Sequence, residues 1–376
     1  MSVRSSGRTR VGGRLGRVHV EPLTRVGYAP RVYAPLALRS YREADRAAWT
    51  SLVTSCPEAT FFHRIEWRDL LERFFGHRTH YLVAERAGRM VAVLPLAEVK
   101  SLLFGHALVS LPFAEHAGVA STDPAAIAPL HARARDLAAS LGVQHLELRN
   151  LVRREPEWPE QDLYVTFRKV ISRDHDENMQ ALPRKQRAMV RRSTNRGLRS
   201  QIENDTRRFF RLYADNMQRH GSPAFPRAYF DELLRTFGRD CEILSVLDRR
   251  GRPVSGVLTF YFRDQALPYY GGDIVAARQL GANDFRAAEL MRRAAGRGVR
   301  LFDYGRSKRG TGSYDFKLNW GFTPEPLHYE YALLKRDDIP QNNPSNPRYR
   351  APIAIWQRLP RPVVNWLGPY FVRHLG

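Results

Sequence analysis

An internal repeat constrains this chain more than any other feature. Residues 80–96, from His80 to Leu96, and residues 242–258, from Glu242 to Leu258, run in parallel as pairs of apolar stretches broken by a short charged turn. Each reads as a β-hairpin, turning at Gly88 in the first copy and at Gly251 in the second. The surroundings repeat as well. Apolar spacing of three and four residues predicts a helical pair before each hairpin, over 43–55 and 60–75 in the first copy and over 205–220 and 226–237 in the second. After each hairpin come a further strand (107–112; 266–270), a helix (124–141; 283–297) and a closing strand (143–149; 299–304). The order strand, two helices, strands, helix, strand thus occurs twice. It predicts an α+β protein of two fused halves, with mixed sheets flanked by helices.

At 376 residues the chain is long enough for two such cores, and a hydrophobic share of 43% suits ordinary globular packing. The formal charge of +22 points to an anionic partner: a phosphate, an acidic sugar polymer, a nucleic acid or a membrane surface. Only six of its 60 basic residues are lysines, so part of that charge reflects a general bias towards arginine and does not choose among these partners. Cys56 and Cys241 stand far apart without a partnering motif, which argues against a disulfide framework or a thiolate metal site and makes a reducing cytoplasm the expected compartment. His77 and His80 lie near Glu72, but a helix-to-strand junction separates them, and no metal is expected. No apolar run reaches membrane-spanning length. Residues 1–35 carry seven arginines against Glu21 alone, lack the apolar stretch of a secretory signal, and read as a disordered arm.

The densest chemistry lies between Leu301 and Phe322. A short apolar strand ends at Asp303 and Tyr304, after which Gly305, Gly310 and Gly312 allow tight turns and close approach of a ligand. Arg306, Lys308 and Arg309 between them can present cations to phosphate or carboxylate. The run Tyr314, Asp315, Phe316, Lys317 sets Lys317 among rings that exclude water, where a cation acts strongly on a nearby oxyanion. A solvated basic loop would have no use for the rings or for the paired Asp303 and Asp315.

A second basic segment spans 178–198. Met179, Leu182, Met189 and Val190 form one side of a helix, Arg184, Lys185, Arg187, Arg191, Arg192 and Arg196 surround the rest, and Gly197 is a stop signal. So many like charges on one helix repel one another unless an anion meets them, and a solvated linker helix is the alternative. Residues 353–373 mix Trp356, Trp366 and Tyr370 with arginines and no acid, a composition that can lie in a bilayer interface or pack back on the domain.

Together these segments carry a family resemblance. The run Arg184 to Arg192 with Gly197, the run Phe302 to Arg306, and Tyr314 to Lys317 with Trp320, Gly321 and Phe322 resemble the Fem family of peptidyl and acyl transferases. The likeness is nearest to the FemAB-like branch associated with exosortase (XrtA) and PEP-CTERM systems, found beside exopolysaccharide genes in Gram-negative bacteria, and covers about 36–376. It implies two fused GNAT-like halves at 36–172 and 201–338, a basic linker helix at 173–200 and an extension at 339–376, with the active site in the second half. The implied reaction is transfer of an acyl or aminoacyl group to an amine or hydroxyl of an anionic acceptor, a phosphate-bearing small molecule or a lipid-linked glycan, in exopolysaccharide or envelope production. In Fem ligases a lysine within F-K-x-x-[FW]-G assists the transferred carbonyl, and residues 316–321 meet that pattern with Lys317. The resemblance therefore places Lys317 at the oxyanion, with Asp303 or Asp315 taking the nucleophile's proton. Arg306 and Lys308 would hold an acceptor phosphate, Tyr269, Tyr270 and Asn283 would line the cleft, and Lys185, Arg187 and Arg191 would join the anion site. The first half, which lacks the glycine loop and the lysine, is expected to position the acceptor.

The donor stays open between acyl-CoA and aminoacyl-tRNA, the latter making tRNA a partner. Residues 278–283 nearly fit the pyrophosphate loop [QR]-x-x-G-x-[GA], but Asn283 stands where a small residue belongs and equally suits a helix cap. No DNA partner is expected. The expected location is the cytoplasm, with the inner face of the cytoplasmic membrane as the alternative. The rival from another class is a catalytically silent module that binds polysaccharide or RNA through the same cations.

Overall fold

The repeat sets the frame. In the computed structural model, which describes residues 34–101, 105–340 and 349–374, each predicted hairpin forms: Leu82–Arg86 with Arg89–Leu94, and Cys241–Leu247 with Pro253–Phe262. The first turns through Ala87 and Gly88, both at positive φ, which matches the twist of the flanking strands. The helical pairs also form, as Arg46–Ser55 and Ile65–Leu70 in the first half and Arg207–Arg219 and Arg227–Phe237 in the second. The helix after each hairpin is Ile127–Leu141 or Ala282–Gly296. The basic arm expected at the N-terminus, apart from its last two residues, lies outside the described residues.

In the second half the strands run in the order Arg199–Glu203, Cys241–Leu247, Pro253–Phe262, Gln265–Asp273, Leu301–Asp303, Tyr164–Val170, Ser307–Lys308. Gln265–Asp273 and Leu301–Asp303 are parallel but share only two register pairs, Gln265 with Leu301 and Ala266 with Phe302. Pro268, which has no N–H to donate, follows at once, and the pairing with Pro253–Phe262 slips there so that Tyr269 is bulged. The two parallel strands therefore part and leave a wedge.

The halves exchange the strands that follow their closing strands. Tyr164–Val170, from the first half of the chain, pairs with Leu301–Asp303 in the second sheet. His328–Leu333, from near the end of the chain, pairs along its full length with His145–Asn150 in the first half's six-stranded sheet. No single cut at the basic linker divides the sheets as the sequence boundaries suggest. The apolar core is shared too: Phe61 stacks on Phe260 with centroids 4.2 Å apart, and Phe62, Trp67, Phe237 and Tyr269 complete the cluster across both halves.

The linker breaks at Leu182 and Pro183 into helices His175–Gln180 and Arg184–Asn195. Two further helices, Arg350–Arg358 and Arg361–Val372, close the chain and pack on Arg207–Arg219. No helix of the described residues is long and apolar enough to cross a membrane.

Candidate active site

The wedge between the parting strands opens into a cavity of about 120 Å³ between the halves. Leu267 and Asp303 line it from the two parting strands and Arg168 from the exchanged strand, while His63, Glu115, His116 and Asn150 face them from the first half. Among the described residues no cluster of His, Cys, Asp or Glu could hold a metal. Burial presses the His63 imidazole down to about 4 and the His116 imidazole to about 3, so both are neutral near pH 7.

Glu115 is the residue that sequence reasoning missed. It is 4% exposed, and its Oε2 has no hydrogen-bond partner. Burial, and then the charge of Asp303, push its carboxyl up to about 7. The loop that presents it is strained, with Leu111 at φ 79° and Phe113 at φ 64°, a region bulky residues avoid. Three long side chains hold the loop in that shape. Arg149, paired with Glu147 at 2.6 Å, donates to the carbonyls of Leu111 and Ala114; Tyr269 donates to Phe113 O at 2.6 Å; Tyr329 donates to Glu115 O at 2.6 Å. Two of these three, Tyr269 and Tyr329, come from the far part of the chain. The only local hint was an acid within an otherwise small and apolar run.

Opposite Glu115 stands Gly305, at φ 76°. A Cβ there would come within 2.5 Å of Glu115 Oε1, so only glycine lets the carboxylate sit over the backbone. Asp303, two residues earlier, is 6% exposed and accepts from Thr166 Oγ1 and Gly305 N, each at 3.0 Å; burial raises its carboxyl.

Lys317 lies on a helix, Gly312–Asn319, which starts where Thr311 Oγ1 accepts from Tyr314 N–H. The helix turns Lys317 inward, 4% exposed, between the rings of Phe167 and Tyr304 at 5.4 and 5.5 Å. Its ammonium donates to Gly305 O at 2.6 Å and Arg306 O at 3.2 Å, so it grips the backbone under Glu115 and does not line the cavity itself. Burial lowers it to about 8, against the pull of Glu115 and Asp303.

The remaining expected residues divide. Asp315 is exposed in the first turn of the lysine helix, facing solvent. Arg306 lies over the Tyr164 ring at 4.6 Å and donates to Tyr329 Oη at 2.8 Å, which leaves it bracing the strand exchange; Lys308 pairs across to Tyr164 in that sheet. Tyr269 reaches the Glu115 loop, whereas Tyr270 is buried among rings and shares a 2.9 Å bond with Tyr229. Asn283 does not cap its helix; its side-chain amide faces the Asp273 carboxylate, to which its nitrogen donates at 3.1 Å once the amide is turned so that N rather than O points there. The helix Arg184–Asn195 lies across the second half, with Pro183 beside Gly321 and Ser193 against Gly281; the loop expected at 278–283 is instead a single-residue turn at Gly281 between the helices Ala277–Leu280 and Ala282–Gly296. Arg187 is spent on the carbonyls of Gln180 and Leu182, while Arg184, Lys185, Arg191 and Arg192 are exposed.

Comparison with known proteins bears on the fold. No curated protein matches the chain in sequence. Among solved structures, FemX superimposes with a TM-score of 0.61 at 14% identity, over 80% of this chain and 98% of that one. A tandem GNAT protein from the clavulanic acid biosynthesis pathway gives 0.51 at 13% identity, over 81% of this chain and all of that one. The C-terminal domain of a putative lysylphosphatidylglycerol synthetase from Agrobacterium fabrum gives 0.52 at 12% identity, over 78% and 92%. Residues 184–318 match the acetyltransferase (GNAT) domain family. The chain thus has a tandem GNAT fold, and its match to the acetyltransferase (GNAT) domain family lies in the basic helix and the second half.

Proposed function

We propose that this chain transfers an acyl or aminoacyl group to an amine or hydroxyl of an anionic acceptor, with Glu115 as the general base. The observation that carries the reading is the unpartnered Glu115 Oε2, held near neutrality beside Asp303 in the cavity where the strands part. In this reading the acceptor nucleophile gives its proton to Glu115 as it bonds to the donor carbonyl carbon. The resulting tetrahedral oxyanion collapses, breaking the bond to the donor's thiolate or ribose oxygen, and the proton on Glu115 passes to that leaving group. Lys317 acts as a positioning residue: it fixes the Gly305–Arg306 backbone under Glu115, and its cation favours negative charge in a dry site. Asp315, exposed as it is, has no part in this scheme.

The donor is a thioester such as acyl-CoA or an aminoacyl ester such as aminoacyl-tRNA. The exposed cations Arg184, Lys185, Arg191 and Arg192, on a helix whose C-terminal end packs against Gly281, support an anionic donor of either kind. An acceptor bearing phosphate or sugar, within exopolysaccharide or envelope production linked to exosortase, follows from the family resemblance. The test is mass spectrometry of the purified chain with acyl-CoA and aminoacyl-tRNA donors and the host's lipid-linked glycans. Donor-dependent product should form with the parent and fall by about 10²–10⁴ with Glu115→Gln. Parent-level turnover in that variant sinks the assignment of the base, and anion binding without product from any donor favours a silent binding module.

A further inference from the structure

The last two helices carry a surface that acyl transfer does not use. On Arg361–Val372 the residues Val364, Gly368 and Val372 are buried at spacings of four, and Gly368 brings the backbone against Ala224 O. Directly opposite run Val363, Trp366, Tyr370 and Arg373. Trp366 is 67% and Tyr370 57% exposed, their rings meet edge to face at 6.1 Å, and Ile355 on the preceding helix is 61% exposed. Of nine large hydrophobic side chains exposed among the described residues, five lie on this helical pair, so the exposure is concentrated rather than scattered. Its polar frame is of one sign. Residues 349–374 contain Arg350, Arg358, Arg361 and Arg373 and no acid. Arg361 is engaged with Asp215 at 2.9 Å, while Arg350 and Arg358 are exposed.

We propose that this helical pair docks the protein on the surface of an anionic phospholipid bilayer, with Trp366 and Tyr370 entering the headgroup layer and the arginines meeting lipid phosphates. Tryptophan and tyrosine suit that depth because each has an apolar body and one polar atom. A protein partner would need a complementary acidic rim, whereas a bilayer of anionic lipid supplies negative charge at every position around the apolar face. Pro360 separates the two helices and Pro369 lies within the second, and a pair of helices this short fits the interface plane rather than a span.

The experiment is co-sedimentation of the full chain with phosphatidylcholine vesicles, with and without about a third phosphatidylglycerol, at low and high salt. The chain should sediment with the anionic vesicles and much less with the neutral ones, and its tryptophan fluorescence should shift to the blue, a shift that Trp366→Ala removes. The double variant Trp366→Ala, Tyr370→Ala keeps every charge and alters only exposed side chains, so its melting temperature should match the parent; its vesicle affinity should fall at least about tenfold. Unchanged affinity in that variant means net charge alone drives binding and overturns the proposal. A dimer abolished by the same substitutions, with no vesicle binding, overturns it in favour of self-association.

Discussion

At Glu115, stability and function oppose each other. Below about pH 4.5 the carboxyl is protonated in both the folded and the unfolded chain. As pH rises towards 7 the unfolded chain loses this proton first, so the folded state loses stability across that window, by about 3 kcal/mol for a shift from 4.5 to about 7. Glu115→Gln should therefore melt higher than the parent at pH 8 and alike at pH 4, while losing turnover. Calorimetry at the two pH values checks this, and equal melting at pH 8 would falsify the burial argument. Activity in the parent should rise through about pH 7, as Glu115 ionises, and fall above about 8, as Lys317 loses its charge; the two apparent values belong to the coupled group. Lys317 also shows why a residue legible in sequence can be misjudged. The pattern around it marked its importance, but its bonds to Gly305 O and Arg306 O mean that Lys317→Ala leaves two carbonyls without their donor in a dry site. That substitution should lower stability by about 2 kcal/mol as well as activity, measurable by urea unfolding.

At the scale of elements, the helix Arg184–Asn195 shows what a charge pattern reveals and what it hides. Its existence and its stop near Gly197 were legible from spacing, but of the four residues expected to form its apolar side only Met189 and Val190 lie on it, Met179 belonging to the preceding helix and Leu182 to the break between the two. Which cations remain available was not, because Arg187 turns back to cap the preceding helix's carbonyls. Reversing Arg184 and Arg191 to Glu should weaken binding of an anionic donor at least tenfold at low salt, with a shallower salt dependence than the parent. Fluorescence anisotropy with acyl-CoA and with tRNA measures it; unaltered affinity for both would show a merely solvated face. The lysine helix Gly312–Asn319 was hidden for a simpler reason: glycines on either side of a short polar run read as a loop, and only Thr311's cap and the ring pocket hold it.

At the scale of the molecule, the exchanged strands make the halves one folding unit. A fragment of residues 201–376 would leave the Leu301–Asp303 edge without Tyr164–Val170, and its own His328–Leu333 without a sheet. Glu330, fully buried, would lose Asn150 and the amides of Arg154 and Glu155. Expressed alone, that fragment should aggregate, and co-expression with 34–200 should restore a soluble, cooperatively melting complex; an independently folded 201–376 by circular dichroism and proteolysis would refute this. The sequence by itself determined the repeated order of elements, because apolar period and glycine turns act over a few neighbouring residues. It also marked Asp303 and Lys317, which stand in one short run of glycines, cations and rings. Only the tertiary structure decided which strand closes which sheet, since backbone hydrogen bonding at an edge is indifferent to sequence. It alone set Glu115 over Gly305, because a pairing between residues so far apart in the chain exists only once both halves have packed.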